Sequence, residues 1–275
     1  MVVCAHGYSG NAHDFDPLAR VLSQAARVVC PDVAGRGQSD WLATPFAYNF
    51  TQFLADVRSL LAHLGVAQID WVGTSMGGLL GLMLAAQARS PIRSLVMNDV
   101  GAFVPLEALR RIAGNLHAPE RFASLAEVEA HLRRTHADWG GITEAQWSSL
   151  VRHGARKVEG GYRLHYDPRI AQVVQPLPFT PGLYFWSEWH RVRCPVLLIR
   201  GEHSDVFPAP VAAAMVDAKP GTELVEIDGA GHAPALMAAP EIATVRAFVE
   251  RAGGARELAR EQPVRAVLHA FQGRG

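Results

Sequence analysis

Gly73-Thr74-Ser75-Met76-Gly77-Gly78 follows the apolar run Ile69-Asp70-Trp71-Val72 and precedes Leu79-Leu80-Gly81-Leu82-Met83-Leu84-Ala85-Ala86. A buried strand passes directly into a helix, and a serine sits at the bend. The spacing is that of the G-x-S-x-G elbow. Its glycines permit a strained turn and close helix–strand packing, while the bend presents a hydroxyl at a helix N-terminus. Amides and the helix dipole there favour negative charge, as an oxyanion requires. Without partners elsewhere the stretch would be only a glycine-rich strand–helix connection.

Outward from the elbow, short apolar runs alternate with helical patterns. Val2–Ala5, Ala26–Cys30, Ile69–Val72, Ile92–Met97, Val196–Arg200 and Glu223–Ile227 read as strands. Several are apolar on both faces, as in a parallel sheet covered by helices on each side. Phe53–Leu64 carries Phe53, Val57, Leu60, Leu61 and Leu64 on one stripe and stops at Gly65. Leu79–Gln87 and Ile242–Arg251 read as further helices. The layout is α/β, a mostly parallel doubly wound sheet. Between Val104 and Ser187 the rhythm changes to helical, charge-richer segments at Leu106–Ala113, Leu125–Ala137 and Thr143–His153. The expected organisation is a core of residues 1–103 and 188–252, a helical lid inserted at 104–187, and a tail at 253–275 that forms a loosely attached helix or no structure.

A serine hydroxyl needs a base to take its proton and an acid to hold that base in one tautomer. In this architecture they should follow the serine in the order Asp/Glu, His, each after a strand. Gly201-Glu202-His203-Ser204-Asp205 follows Pro195–Arg200, and Asp228-Gly229-Ala230-Gly231-His232-Ala233-Pro234 follows Leu224–Ile227. Ser75 is therefore the expected nucleophile, Asp205 the acid and His232 the base. Taken alone, Asp205 would at least as readily be a turn or capping residue. Glu202 and Asp99, the latter at the end of the preceding strand, are weaker rivals for the acid. The oxyanion donors are expected to be the backbone N–H groups of Met76 and of Tyr8, the latter in His6-Gly7-Tyr8-Ser9-Gly10. The His6 side chain is expected to shape that loop rather than carry protons.

Composition excludes other classes. Among 275 residues, 26 basic and 26 acidic side chains cancel, which gives no footprint for nucleic acid or an anionic membrane surface. No apolar run reaches the roughly 18 residues of a transmembrane helix. Neither G-x-x-x-x-G-K-[ST] nor G-x-G-x-x-G follows a strand, which disfavours nucleotide binding. Three cysteines without a C-x-x-C pair and no signal-peptide pattern point to free thiols in a cytoplasmic protein. The 12 histidines show no H-E-x-x-H or comparable spacing, so neither a metal nor a cofactor is expected.

Four signatures in order resemble the α/β-hydrolase family: His6-Gly7, Asp32-Val33-Ala34-Gly35-Arg36-Gly37-Gln38-Ser39, the Ser75 elbow, and the Asp205/His232 pair. The resemblance spans Val2 to about Arg251. It implies an eight-stranded sheet, a helical cap after the sixth strand, and hydrolysis of a small acyl substrate without a cofactor. The Asp32–Ser39 loop is read as structural, with Arg36 or Ser39 as its anchor. Two departures matter. The chain begins at the His-Gly strand, without the two strands that normally precede it. The strand around Val28-Val29-Cys30 would then be an apolar edge, an association hazard that leaves homo-oligomers open unless the C-terminal tail covers it. The nucleophile is serine rather than aspartate, which argues against the haloalkane dehalogenase and epoxide hydrolase branches. The expected substrate is a carboxylic ester, lactone or thioester. A ring-cleavage product with a scissile carbon–carbon bond, handled by Arg36 or Arg191, is the alternative, and a ligand-binding receptor on the same fold the rival from another class. Trp139, Trp147, Phe179, Tyr184, Phe185, Trp186 and Trp189 are candidates for the acyl pocket or for plain packing.

Overall fold

The computed structural model describes residues 1–173 and 180–261. In chain order its strands are β1 (Val2–Ala5), β2 (Val28–Val29), β3 (Ile69–Thr74), β4 (Ile92–Asn98), β5 (Phe103–Pro105), β6 (Ala155–Val158), β7 (Gly161–Leu164), β8 (Gly182–Tyr184), β9 (Val196–Gly201) and β10 (Glu223–Ile227). Its helices are α1 (Asp16–Leu22), α2 (Phe50–His63), α3 (Met76–Ala85), α4 (Leu106–Leu116), α5 (Leu125–Thr135), α6 (Glu144–Gly154), α7 (Trp186–Arg191), α8 (Ala209–Ala218) and α9 (Ala239–Glu261).

Six strands form one parallel sheet in the order β10-β9-β4-β3-β1-β2. Alternation along each strand divides the core. Val3, Ala5, Trp71, Leu95, Met97 and Leu198 pack with α2 and α3, while Val2, Cys4, Val72, Val96, Leu197 and Ile199 pack with Leu18 and Leu22 of α1 and Val245 and Phe248 of α9. A sheet buried on both faces needs strands apolar at every position. Helix α2 starts where the Asn49 side chain accepts the Gln52 amide at 3.0 Å and buries Phe53, Val57 and Leu61. Gly65, at φ 65°, lets the chain turn back toward β3.

The six strands of the sheet are the six runs expected from the sequence, without the two that precede them in the family. Two expectations change. Ala26–Cys30 contributes only Val28–Val29, an edge pair held on one side by Val2 and Val3. Helix α9 runs through Gly253 and Gly254 to Glu261 rather than ending at Arg251. The rest of the tail, from residue 262, lies outside the described residues, and with it the expectation that the tail covers the edge.

The excursion between β4 and β9 begins and ends at a short antiparallel pair, β5 with β8. It carries α4, α5 and α6, plus a hairpin, β6–β7, that turns at Gly160 with φ 73°. Helix α6 has a full capping box, with Thr143 and Gln146 exchanging side-chain and backbone hydrogen bonds. No helix among the described residues is long and apolar enough to cross a membrane.

Candidate active site

Ser75 lies between β3 and α3 at φ 51° and ψ −113°, a strained conformation for a residue with a Cβ. Packing around the bend maintains it. The Ser75 amide donates to the Asn98 carbonyl at 2.9 Å, and its carbonyl accepts from the Leu79 amide at 3.1 Å. A Cβ at Gly77 would overlap the Ala5 carbonyl, and one at Gly73 would overlap the Gly77 carbonyl, so the helix meets the sheet backbone to backbone.

The Ser75 hydroxyl is 3.0 Å from Nε2 of His232, in the loop after β10. The other ring nitrogen, Nδ1, is 2.7 Å from Oδ2 of Asp99. A carboxylate only accepts, so Nδ1 carries the proton and Nε2 faces the hydroxyl with a lone pair. Asp99 follows β4 and is fully buried. Its φ of 56° turns the carboxylate across the sheet edge. There it accepts four hydrogen bonds: from the Gly201 amide at 2.8 Å, the Ser204 hydroxyl at 2.6 Å, the Ala233 amide at 3.0 Å, and His232. Donors on every side fix its direction.

This corrects the assignment of Asp205. The structure places Asp205 in an exposed turn, paired through both oxygens with Arg111 of α4 at 2.7 and 2.5 Å. Burial alone would raise the Asp205 carboxyl, but the Arg111 guanidinium holds it below the usual carboxylate range. Its lone pairs are aimed at α4 rather than at the imidazole. Glu202 accepts the Gly229 amide at 2.8 Å and does not reach His232 either.

The loop after β1 runs against the elbow, with a Cβ placed on Gly7 only 3.6 Å from that of Ser75. His6, 1 % exposed, holds this loop. Its Nε2 accepts the Val33 amide at 3.0 Å, so its Nδ1–H donates to the Gly7 carbonyl at 2.7 Å. Burial pushes the imidazole down to about 4, which keeps it neutral. Because a trans peptide sets N–H opposite C=O, gripping the Gly7 carbonyl fixes the direction of the Tyr8 N–H. Beneath lies Arg36, fully buried. It donates to the carbonyls of Tyr8 at 2.9 Å and Ala34 at 2.8 Å, and touches the Met76 sulfur at 3.8 Å. The rings of Tyr8, Tyr48 and Phe53 surround its charge. Burial brings it down to about 10, and it remains a cation at neutral pH. Ser39 anchors the same loop by donating to the Asp32 carbonyl at 2.7 Å.

Two chambers meet at Ser75. A smaller one of about 110 Å³ sets Arg111, Asn115, His136 and Asp138 beside His232 among apolar side chains that include Leu132, Trp139 and Met237. A larger one of about 330 Å³ is apolar, walled by Phe46, Phe50, Leu79, Leu109, Ile112 and Val206. Of the aromatic candidates, Trp139 lines the smaller chamber, whereas Trp147, Phe185 and Trp189 are buried in packing. Phe179 lies outside the described residues. Arg191 pairs with Glu188 at 3.1 Å away from both chambers. Arg111 and Asp138 carried no local signal in the sequence, because each acts on a loop nearly a hundred residues away. Asp138 holds the His232 loop from above: its carbonyl accepts the Gly231 amide at 2.6 Å and its carboxylate the His232 amide at 3.1 Å.

Residues 1–238 match the family model described as the alpha/beta hydrolase fold. The chain is an α/β-hydrolase. The hydrolase is 38% identical over 256 residues to a 3-hydroxybutyrate-oligomer hydrolase of Cupriavidus necator, spanning 90% of this chain and 87% of that protein. It is 27% identical over 231 residues to a 2-(acetamidomethylene)succinate hydrolase of Mesorhizobium japonicum, covering 82% and 79% of the two chains. Among solved structures it resembles an alpha/beta hydrolase from Novosphingobium aromaticivorans, with TM-score 0.82, 35% identity, and coverage of 91% and 89%. The hydrolase is thus an enzyme.

Proposed function

We propose that the hydrolase cleaves small carboxylic esters through an acyl-enzyme on Ser75, with His232 as general base and acid and Asp99 as the residue that orients it. The observation that carries this reading is the Ser75 hydroxyl 3.0 Å from an imidazole nitrogen, at the junction of two chambers. His232 takes the hydroxyl proton as Ser75 attacks the carbonyl, and Asp99 stabilises the imidazolium that forms. The Tyr8 and Met76 amides receive the oxyanion. As the tetrahedral intermediate collapses, the proton passes to the leaving alcohol. Water then repeats the cycle on the acyl-enzyme.

The segment between β4 and β9 acts as a cap, since Leu109, Ile112 and Asp138 from it help to wall the chambers. The larger chamber accepts a short acyl chain, and the smaller one, where Arg111, Asn115 and His136 stand among apolar side chains, a hydroxylated or acidic leaving group. Short 3-hydroxybutyrate oligomers, the substrate in the name of the Cupriavidus relative, fit that division. The test is a hydrolysis panel of short acyl esters, lactones, thioesters and the 3-hydroxybutyrate dimer, with Ser75→Ala as blank. The expected result is turnover of short esters and of the dimer that Ser75→Ala reduces by at least about a thousandfold. Equal turnover by the variant would overturn the reading.

A further inference from the structure

His13, in the first loop of the core, lies face to face with His153, near the end of α6 in the cap. Their ring centroids are 3.8 Å apart and their planes 13° from parallel. Asp16, the first residue of α1, brings a carboxylate oxygen to 3.1 Å from His13 Nδ1. One ligand atom from each of the three lies within 4.8 Å of the others. From these juxtaposed donors we infer that His13, Asp16 and His153 form a binding site for a divalent transition metal of the Zn²⁺ type, which joins the cap to the core.

The donor chemistry favours this class of ion. Two imidazoles and one carboxylate suit Zn²⁺, Co²⁺ or Ni²⁺, whereas Mg²⁺ and Ca²⁺ favour oxygen ligands. With bonds of about 2.0–2.1 Å, tetrahedral ligands stand roughly 3.4 Å apart. The 3.1 Å between His13 Nδ1 and Asp16 already approximates one such edge, with a proton where the ion would sit. His153 is prepared from the other side. Its Nδ1 lies 3.0 Å from the Ser149 carbonyl, which only accepts, so the proton sits on Nδ1 and the lone pair on Nε2. Binding displaces the proton from His13 Nδ1 and tilts that more exposed ring out of the stack until its nitrogen converges with that of His153. Three protein ligands leave a fourth position for water, as in an open site. Sequence spacing concealed the group, because His13 and His153 stand 140 positions apart and belong to no motif. The site borders the smaller chamber, since Asp14, Phe15 and Gly154 line its wall. The assignment is independent of the ester reading.

The test uses the full chain without an affinity tag, stripped with a chelator and titrated with Zn²⁺ by calorimetry and with Co²⁺ by visible absorption. The expected result is one saturable equivalent per chain, a tetrahedral Co²⁺ spectrum, and a thermal midpoint that rises with Zn²⁺. His13→Gln and His153→Gln should each weaken binding at least tenfold and abolish the midpoint rise, while His63→Gln, on the exposed face of α2, changes neither. His13 is solvent-facing, so its variant keeps the fold, and near-UV circular dichroism verifies this. No saturable binding, or binding that both substitutions leave intact, overturns the assignment. So does Zn²⁺ that blocks covalent labelling of Ser75 equally in wild type and His13→Gln, because the ion would then sit on His232.

Discussion

At the scale of single residues, the choice of acid is the sharpest statement about this hydrolase. Asp99 has every oxygen occupied by a donor, one of them the imidazole, whereas Asp205 is committed to Arg111. Asp99→Asn should reduce kcat for an activated short ester by about ten thousandfold, the scale seen when such an acid loses its charge. Asp205→Asn should stay within roughly tenfold of wild type. Equal losses would return Asp205 to the reaction. Arg36 gives a second prediction. It holds the Tyr8 carbonyl and touches Met76, the two residues proposed to donate to the oxyanion. Arg36→Met should lower kcat on the order of tenfold to a hundredfold with little change in KM, while Arg36→Lys recovers part of the loss. A KM-only effect would argue against this role. Ser75 and His232 were legible in the sequence because a fixed spacing and a fixed order after strands announce them. The acid was not. Two aspartates follow two adjacent strands, and what separates them is a backbone angle at Asp99 and a cation on a distant helix.

At the scale of elements, the elbow depends on backbone contact between α3 and the sheet. Gly77→Ala would place its methyl into the Ala5 carbonyl, whereas the same change at Gly65 meets nothing within 4 Å. The Gly65 substitution should cost about 1–2 kcal/mol for its left-handed backbone alone. Gly77→Ala should cost more and should also reduce activity by displacing Ser75. Chemical denaturation of the two variants compares them directly. The core strands and α2 could be read from alternating burial and a periodic stripe. The β5–β8 pair and the β6–β7 hairpin could not: they are three and four residues long, and part of what defines them is a partner far along the chain. The walls of the apolar chamber escaped for a related reason. Phe46 and Phe50 belong to the connection before and into α2, not to the aromatic-rich insertion.

For the whole molecule, buried neutral histidines make one contribution to its response to acid, opposed by the Asp14 carboxyl, which burial raises to about 7. His6 titrates at about 4 in the folded state against 6.5 in an ordinary setting. His136, whose shift is likewise led by burial, is also pushed down to about 4. The unfolded chain therefore binds protons first as pH falls. Stability contributed by the neutral imidazole is intact above pH 6.5, declines between 6.5 and about 4, and is fully lost below that. For His6 the decline amounts to roughly 3 kcal/mol, at about 1.4 kcal/mol per pH unit. Urea denaturation across this window should show wild type losing stability relative to His6→Gln as pH falls, since the Asp14 contribution is common to both. Parallel profiles would contradict the neutral His6.

The grip of Asp138 on the loop that carries His232 has a consequence for timing. If the roof over the pocket swings away, it takes with it two of the bonds that keep the imidazole in line, so admission of a guest and arming of the alcohol exclude one another. The enzyme would idle safely between visits, and an ester too large for the roof to shut over would dock without being cut.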